Sequence, residues 1–328
     1  MKKIAVVIPC YNGYRFMDKC LSALEKQTFK NFQVVVVDDC STDDSFQLLL
    51  EYKQHSNLEM VVIRNNQNLH AALARSEGVK NADAEWICFC DCDDWYEVDF
   101  FEKMLCKAET TNSDLVMCHF NYAYANGTKE FLSGLNILDD NSTKEEFIAL
   151  TPMSMCRFIM KKTLFENITI PNIRNAEDGA IVPQLLIKSQ RISIIHEGLY
   201  NYFIRENSTS TRTDVSIYKD FLTSQEVINK ILIPQFTTEC EFIGVKNICY
   251  GAILNALKAK VKLSIVKQVL IDFEKDFPNW DKNKYICSLS RGKRIFLKMT
   301  KLRVWGGLIF FAKVHSFLLK RKAKKQSS

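Results

Sequence analysis

The sequence predicts an α/β fold, a mostly parallel sheet flanked by helices and continued by a helical extension. Two observations carry that prediction. Within the first 120 residues short β-branched or apolar runs alternate with segments of helical period, and after about residue 214 the strand-like runs cease. The chain is 328 residues long and 47% hydrophobic, enough to bury a sizeable core.

The strand candidates come in order as IAVVI at 4–8, FQVVVV at 32–37, MVVI at 60–63, WICFC at 86–90 and DLVMC at 114–118. Runs this short and this apolar fit strands buried on both faces. The opening MKKIAVVIPC is expected to be the first strand, because Pro9 cuts its apolar run too short for the core of a secretory leader. Between the strands, 14–26, 43–54 and 97–108 repeat apolar residues on one helical face. Ser41-Thr42 with Asp44 predicts the cap of the second of these helices. The resulting βαβαβαβ order implies parallel strands with helices on both faces. Further on, Asn126-Gly127 predicts a hairpin, helices are expected after Thr143 and near Glu177, and LYNYFI at 199–204 reads as a strand.

Charge is divided sharply along the chain. From Arg291 to Ser328 there are twelve Lys and Arg and no Asp or Glu, so residues 1–290 hold 32 basic against 38 acidic side chains. A uniformly basic nucleic-acid binder is a poor description of such a chain. Twelve cysteines are scattered without a disulfide pattern, which fits a reduced, cytoplasmic setting. Cys88, Cys90 and Cys92 alternate but lack metal-ligand spacing, and small buried strand residues account for them.

Three strand ends carry unusual residues: Pro9-Cys10-Tyr11-Asn12, Asp38-Asp39-Cys40-Ser41 and Asp91-Cys92-Asp93-Asp94. Ligands of open α/β sheets sit beyond the carboxyl ends of the strands. If the first strand lies between the second and fourth, one ring and up to five carboxylates face one crevice. Hard cations such as Mg²⁺ and Mn²⁺ take carboxylate oxygens and bridge to phosphates, which relieves the repulsion. An aromatic face for a base and an aspartate for its imide N–H together favour uracil. The acidic trio alone also suits a solvated turn and helix cap. The coincidence at three strand ends is what favours a ligand site.

These motifs resemble the family 2 glycosyltransferases of GT-A fold that build bacterial surface polysaccharides. The resemblance covers roughly residues 1–210 through VVIPCYN at 6–12, QTFKNFQVVVVDDCSTDDS at 27–45, ALARSEGVKNADAEWICFCDCDDW at 72–95 and AEDGAIVPQLL at 176–186. It implies a nucleotide site formed by Pro9, Tyr11, Asp39, Arg75 and Asp91, with Tyr11 stacking on uracil and Asp39 accepting its N3–H. Asp91 and Asp93 would form the D-x-D pair, Asp93 reaching Mn²⁺ or Mg²⁺ on the diphosphate and Asp91 facing ribose or sugar. Asp178 would be the catalytic base beside Glu177, although an acidic first helical turn is the reading those two residues support alone. YNYFIRENSTS at 200–210 is similar to a family segment ending in Y-x-x-R-x-x-S, which implies a phosphate or acceptor contact for Arg205. The chain departs from the family at Asn68-Leu69-His70, where an N-x-G pattern is common, and at Ala74-Arg75-Ser76, where A-R-N is common.

The expected organisation is a catalytic domain at 1–213, with a nucleotide-binding half at 1–120 and an acceptor-binding half at 121–213. A helical accessory region at 214–290 and a basic amphipathic tail at 291–328 follow. In the tail, Trp305 and Phe317 are candidates for a headgroup boundary, and Gly306-Gly307 is expected to break the helix. The function expected is metal-dependent, inverting transfer of a hexose or N-acetylhexosamine from a UDP-sugar to a glycan or lipid-linked acceptor. The tail would dock on the anionic cytoplasmic face of a membrane. A nucleotidyltransferase would need a Gly-rich basic loop after the first strand, where PCYNGYRF offers one Gly and one Arg. A non-catalytic sugar-nucleotide binder would need no intact Asp91, Asp93 and Asp178.

Overall fold

The computed structural model describes residues 1–132, 137–204 and 214–326, the last eight of these by backbone alone. The chain forms two compact units. The first comprises Met1–Ser142, Pro152–Asn172 and Gln184–Phe203, and the second Thr143–Thr151, Ile173–Pro183 and Ile204–Ser328.

The first unit runs β1 (Lys2–Cys10), α1 (Asp18–Glu25), β2 (Phe32–Asp38), α2 (Ser45–His55), β3 (Met60–Arg64), α3 (His70–Asn81) and β4 (Ala84–Phe89). It continues with β5 (Trp95–Tyr96), α4 (Phe100–Thr111), β6 (Leu115–Ala123), β7 (Lys129–Leu132), β8 (Phe158–Lys161) and β9 (Ile192–Phe203). Among the described residues these strands form one sheet in the order β3-β2-β1-β4-β8-β6-β9-β5, with β7 paired to β6. The pairs β3-β2, β2-β1 and β1-β4 are parallel, as the βαβ alternation requires. Beyond β4 the pairing is antiparallel except between β6 and β9.

Burial explains the apolar runs. Ile4–Ile8 and Val34–Val37 are wholly inaccessible, because β1 and β2 have sheet neighbours at both edges and packing on their faces. α3 crosses this part of the sheet at Gly78, where an added Cβ would lie 2.3 Å from Val7 Cγ1 and 3.1 Å from Val37 Cγ2. The expected hairpin is present between β6 and β7, with Gly127 at φ +83°.

The cap of α2 is not the expected one. The helix begins at Ser45, whose N–H is accepted by Asp43 Oδ1 at 3.0 Å, while Ser41 and Thr42 bond to Asn12 instead. A partner from another strand end outcompeted the local cap.

The second unit is helical. Its elements are α5 (Lys144–Leu150), the first turns of α6 (Glu177–Lys188), α7 (Val215–Leu232), α8 (Thr237–Gly244) and a π-helical segment Val245–Ala252. Then come α9 (Ile253–Lys258), α10 (Leu263–Asp276), α11 (Arg291–Lys301) and α12 (Trp305–Gln326). Thr143 and Glu146 form a reciprocal capping box at α5. Phe242, Ile243, Leu270, Trp280 and Phe296 are buried in this unit. Gly306-Gly307 does not break the tail helix, since both lie in the first turn of α12, where the N–H groups lack helical acceptors in any case. The interruption is Leu302–Val304, with Arg303 at φ +57°.

Gly78→Ala forces β1 or α3 to shift. Chemical denaturation is expected to show a loss of about 1–3 kcal/mol, the usual range for overpacking a tight core.

Candidate active site

β1 lies between β2 and β4, and Cys10 pairs with Asp38 in register, so the three polar strand ends leave the sheet side by side. The loop after β1 is built on Asn12, which has φ +50° and is a residue type that tolerates that region. Its N–H donates to Ser41 Oγ at 2.9 Å, and its Oδ1 accepts from the N–H groups of Thr42 and Asp43 at 2.8 and 3.3 Å. Asn12 thus staples the first loop to the second. Sequence reasoning gave it no role, although it sits inside the VVIPCYN motif. Pro9 is half-buried within β1, and the Tyr11 side chain is 47% exposed.

Asp39 is buried and fixed at three points. Its N–H donates to the Cys10 carbonyl at 2.7 Å, and its Oδ1 accepts from Asn65 Nδ2 at 2.8 Å and Leu69 N–H at 2.9 Å. Oδ2 accepts the same Leu69 N–H at 3.1 Å, and the carboxylate retains acceptor capacity for a further donor. His70 follows at φ +65°, with its N–H on Asn68 Oδ1 at 3.1 Å. The position that departs from the family's N-x-G pattern is therefore one whose backbone favours glycine.

The four residues after β4 fall into different environments. Asp91 Oδ1 accepts from Arg75 Nη2 at 2.6 Å, with the Arg75 side chain 4% exposed and that of Asp91 35% exposed. Asp93 is half-buried. Asp94 turns inward, where its Oδ1 accepts from the Phe203 N–H at 2.7 Å and its Oδ2 from the Tyr200 hydroxyl. Burial pushes the Asp94 carboxyl well above the usual carboxylate range, and the charges of Asp91 and Asp93 push it further. Asp38 is also inaccessible, with Arg64 Nε 3.4 Å and the Ser41 N–H 3.3 Å from its Oδ2. Of the five carboxylates expected to face one crevice, Asp91 and Asp93 are half-buried, whereas Asp38, Asp39 and Asp94 are buried and accept internal hydrogen bonds.

The Cys92 thiol is raised well above its ordinary value, first by its hydrogen bond with Cys10 and then by burial. Carboxylate oxygen, from Asp91 and Asp93, is the donor type that a hard cation would favour here. Cys88 and Cys90 are fully buried thiols, and Cys90 Sγ lies 3.7 Å from Cys20 Sγ. No group of three metal-ligating side chains is assembled among the described residues.

Glu177 and Asp178 belong to the second unit, in the first turn of α6, behind Ala176 at φ +60°. Both are half-buried. Gly179 is packed so closely that an added Cβ would lie 3.0 Å from the buried Ser224 Oγ and 3.6 Å from Asn247 Nδ2. This fixes where the acidic turn starts. Arg205 and Ser208 lie outside the described residues. Tyr202 is in β9, its ring centroid 5.9 Å from that of Tyr122.

Comparison with known proteins joins this arrangement to one family. The profile described as Glycosyl transferase family 2 matches residues 5–169. The Streptococcus pneumoniae glycosyltransferase GlyA is 27% identical over 220 residues, 63% of this chain and 31% of that protein. The Staphylococcus aureus poly(ribitol-phosphate) beta-N-acetylglucosaminyltransferase TarS is 26% identical over 206 residues, 62% of this chain and 35% of TarS. The matched stretch thus spans about a third of either relative. In structure, TarS 1-349 in complex with UDP-GlcNAc superposes with a TM-score of 0.72 at 20% identity, covering 95% of this chain and 91% of that one. The mannosyltransferase PcManGT of Pyrobaculum calidifontis, in complex with GDP-Man and Mn2+, gives a TM-score of 0.55 at 14% identity, covering 96% and 87%.

Two stability measurements follow from the local geometry. Asp94→Ala strands the Tyr200 hydroxyl and the Phe203 N–H, and is expected to cost about 1–3 kcal/mol for each donor left unpaired. Asp94→Asn keeps an acceptor and should cost much less. His70→Gly relieves the left-handed backbone and is expected to raise stability by about 1 kcal/mol in denaturant titration.

Proposed function

The chain belongs to glycosyl transferase family 2, and from that membership we propose inverting transfer of a hexose or N-acetylhexosamine from a UDP-sugar with the help of a divalent cation. The observation that carries the reading is the convergence of Tyr11, Asp39 and the Arg75–Asp91 pair at three adjacent parallel strand ends. UDP-GlcNAc bound to TarS, which shares the fold, supports the choice of UDP over other nucleotides.

In this reading the exposed Tyr11 ring stacks on uracil and Asp39 accepts its N3–H through the lone pairs its internal donors leave unused. Pro9 lines the entry to that pocket. Arg75 lies against the diphosphate, and its ion pair with Asp91 orients both groups, so that Asp91 meets the ribose or sugar. The cation is Mn²⁺ or Mg²⁺, held by Asp93. The half-buried carboxylate oxygens of Asp93 fit a hard ion. Such hard cations take oxygen ligands and bridge to phosphates. When bound, the ion supplies charge neutralisation on the departing UDP.

Asp178 acts as general base, taking the proton of an acceptor hydroxyl as that oxygen attacks the anomeric carbon from the face opposite UDP. A single displacement of this kind inverts the configuration. Glu177 and Arg205 contact the acceptor or a phosphate. The acceptor is a glycan or a lipid-linked carrier in surface polysaccharide assembly, and the enzyme works peripherally at the cytoplasmic face of a membrane. In this reading the catalytic domain spans 1–213.

Calorimetric titration with UDP, GDP, CMP and dTDP, each with Mn²⁺ and with EDTA, tests the site. UDP is expected to bind with metal, and Asp93→Ala to weaken that binding at least about tenfold, or about 1.4 kcal/mol. Preference for another nucleotide would overturn the uracil assignment, and no binding at all would overturn the site. Asp178→Asn is expected to keep UDP affinity while lowering kcat by about 10²–10⁴-fold, the contribution of a general base.

A further inference from the structure

We propose that α12 docks the enzyme on an anionic lipid bilayer through an exposed apolar stripe in a segment rich in cations. This gives the peripheral location a physical device, and it stands or falls separately from the nucleotide site.

The two faces of α12 differ. Leu308 and Ala312 are buried, and the Phe311 ring lies 5.0 Å from Phe296 of α11, so this side holds the helix to its own unit. On the opposite side Phe310, Val314 and Phe317 follow the i, i+4, i+7 spacing of one helical stripe, and they are 69%, 39% and 63% exposed. Leu318 beside them is 55% exposed. Two phenylalanines held this far out of any core are a surface that water disfavours and a partner would cover. Trp305 is not part of this surface, since it is half-buried with the Lys267 ammonium 5.9 Å from its ring centre.

Charge decides which partner. Lys313 is exposed one turn from both Phe310 and Phe317, and Arg291, Arg294 and Lys298 are exposed on α11. The sequence continues α12 through Lys320, Arg321, Lys322, Lys324 and Lys325, and no carboxylate occurs between Arg291 and Ser328. A second copy of this chain would bring the same positive charge against itself. A bilayer with anionic headgroups meets both features, taking the aromatic rings at the acyl boundary and the cations at the phosphates. No helix among the described residues is long and apolar enough to cross a membrane, so this face lies on the bilayer.

The test is flotation of the full chain with vesicles of phosphatidylcholine alone and of equal parts phosphatidylcholine and phosphatidylglycerol. Binding is expected only to the anionic vesicles and is expected to weaken as salt rises. The double variant Phe310→Glu, Phe317→Glu should lower the bound fraction at least about tenfold, because it removes the inserted rings. Both positions are exposed, so its melting curve and UDP affinity should match the parent. Val314→Asp, at the centre of the stripe, provides a second variant expected to act in the same direction. Equal binding to both vesicles, no binding to either, or undiminished binding by the variants would overturn the proposal. So would light scattering that shows a dimer dissolved by these substitutions, which would assign the face to a second copy. UDP titration of the same samples reports separately on the nucleotide site.

Discussion

Three carboxylates within four residues cannot all face the same low-dielectric space, and the fold around the end of β4 is organised by how that repulsion is relieved. Asp94 is drawn inward to the Tyr200 hydroxyl and the Phe203 N–H, tying the turn to β9. Asp91 is compensated by the nearly inaccessible Arg75 of α3. Asp93 is left half-buried between these two anchored neighbours. The tight turn is thus tied on one side to α3 and on the other to β9, with Asp93 between the two attachments.

The same logic extends across the sheet. The order of the sheet puts the ends of β2, β1 and β4 side by side, and each polar end is fastened by a group from another element or loop. Asn12 fixes the second loop, Leu69 and Asn65 fix Asp39, and Arg64 approaches Asp38. The left-handed backbone at Asn12, Cys40 and His70 lies in these loops. Such conformations persist where surrounding contacts over-determine them, which suits a preorganised nucleotide site.

The second unit applies the principle to helices. Gly179 brings the acidic first turn of α6 against Ser224 and Asn247, while Lys301 at the end of α11 lies 2.8 Å from Asp281 and Arg303, just beyond that helix, pairs with Glu274. With those two cations engaged, the exposed cations of α11 and α12 are others. The charge asymmetry of the sequence therefore survives as a feature of the surface.

By itself the sequence determined the alternation of elements, the parallel pairing that βαβ units impose, the presence of polar residues at three strand ends and the family. These depend on periodicity and on motifs contiguous in the chain, which local chemistry encodes. The strand order that brings those ends together came from the structure. Tertiary structure decided which carboxylates face outward. Asp94 looks like Asp93 in sequence and is set apart by partners 106 and 109 residues away. It also decided that Asn12 rather than the neighbouring chain occupies Ser41 and Thr42, that His70 sits where glycine is favoured, and that α12 runs through its two glycines. In each case the deciding group comes from an element remote in sequence, or from a backbone conformation set by packing. Neither leaves a periodic trace in the chain that could be read beforehand.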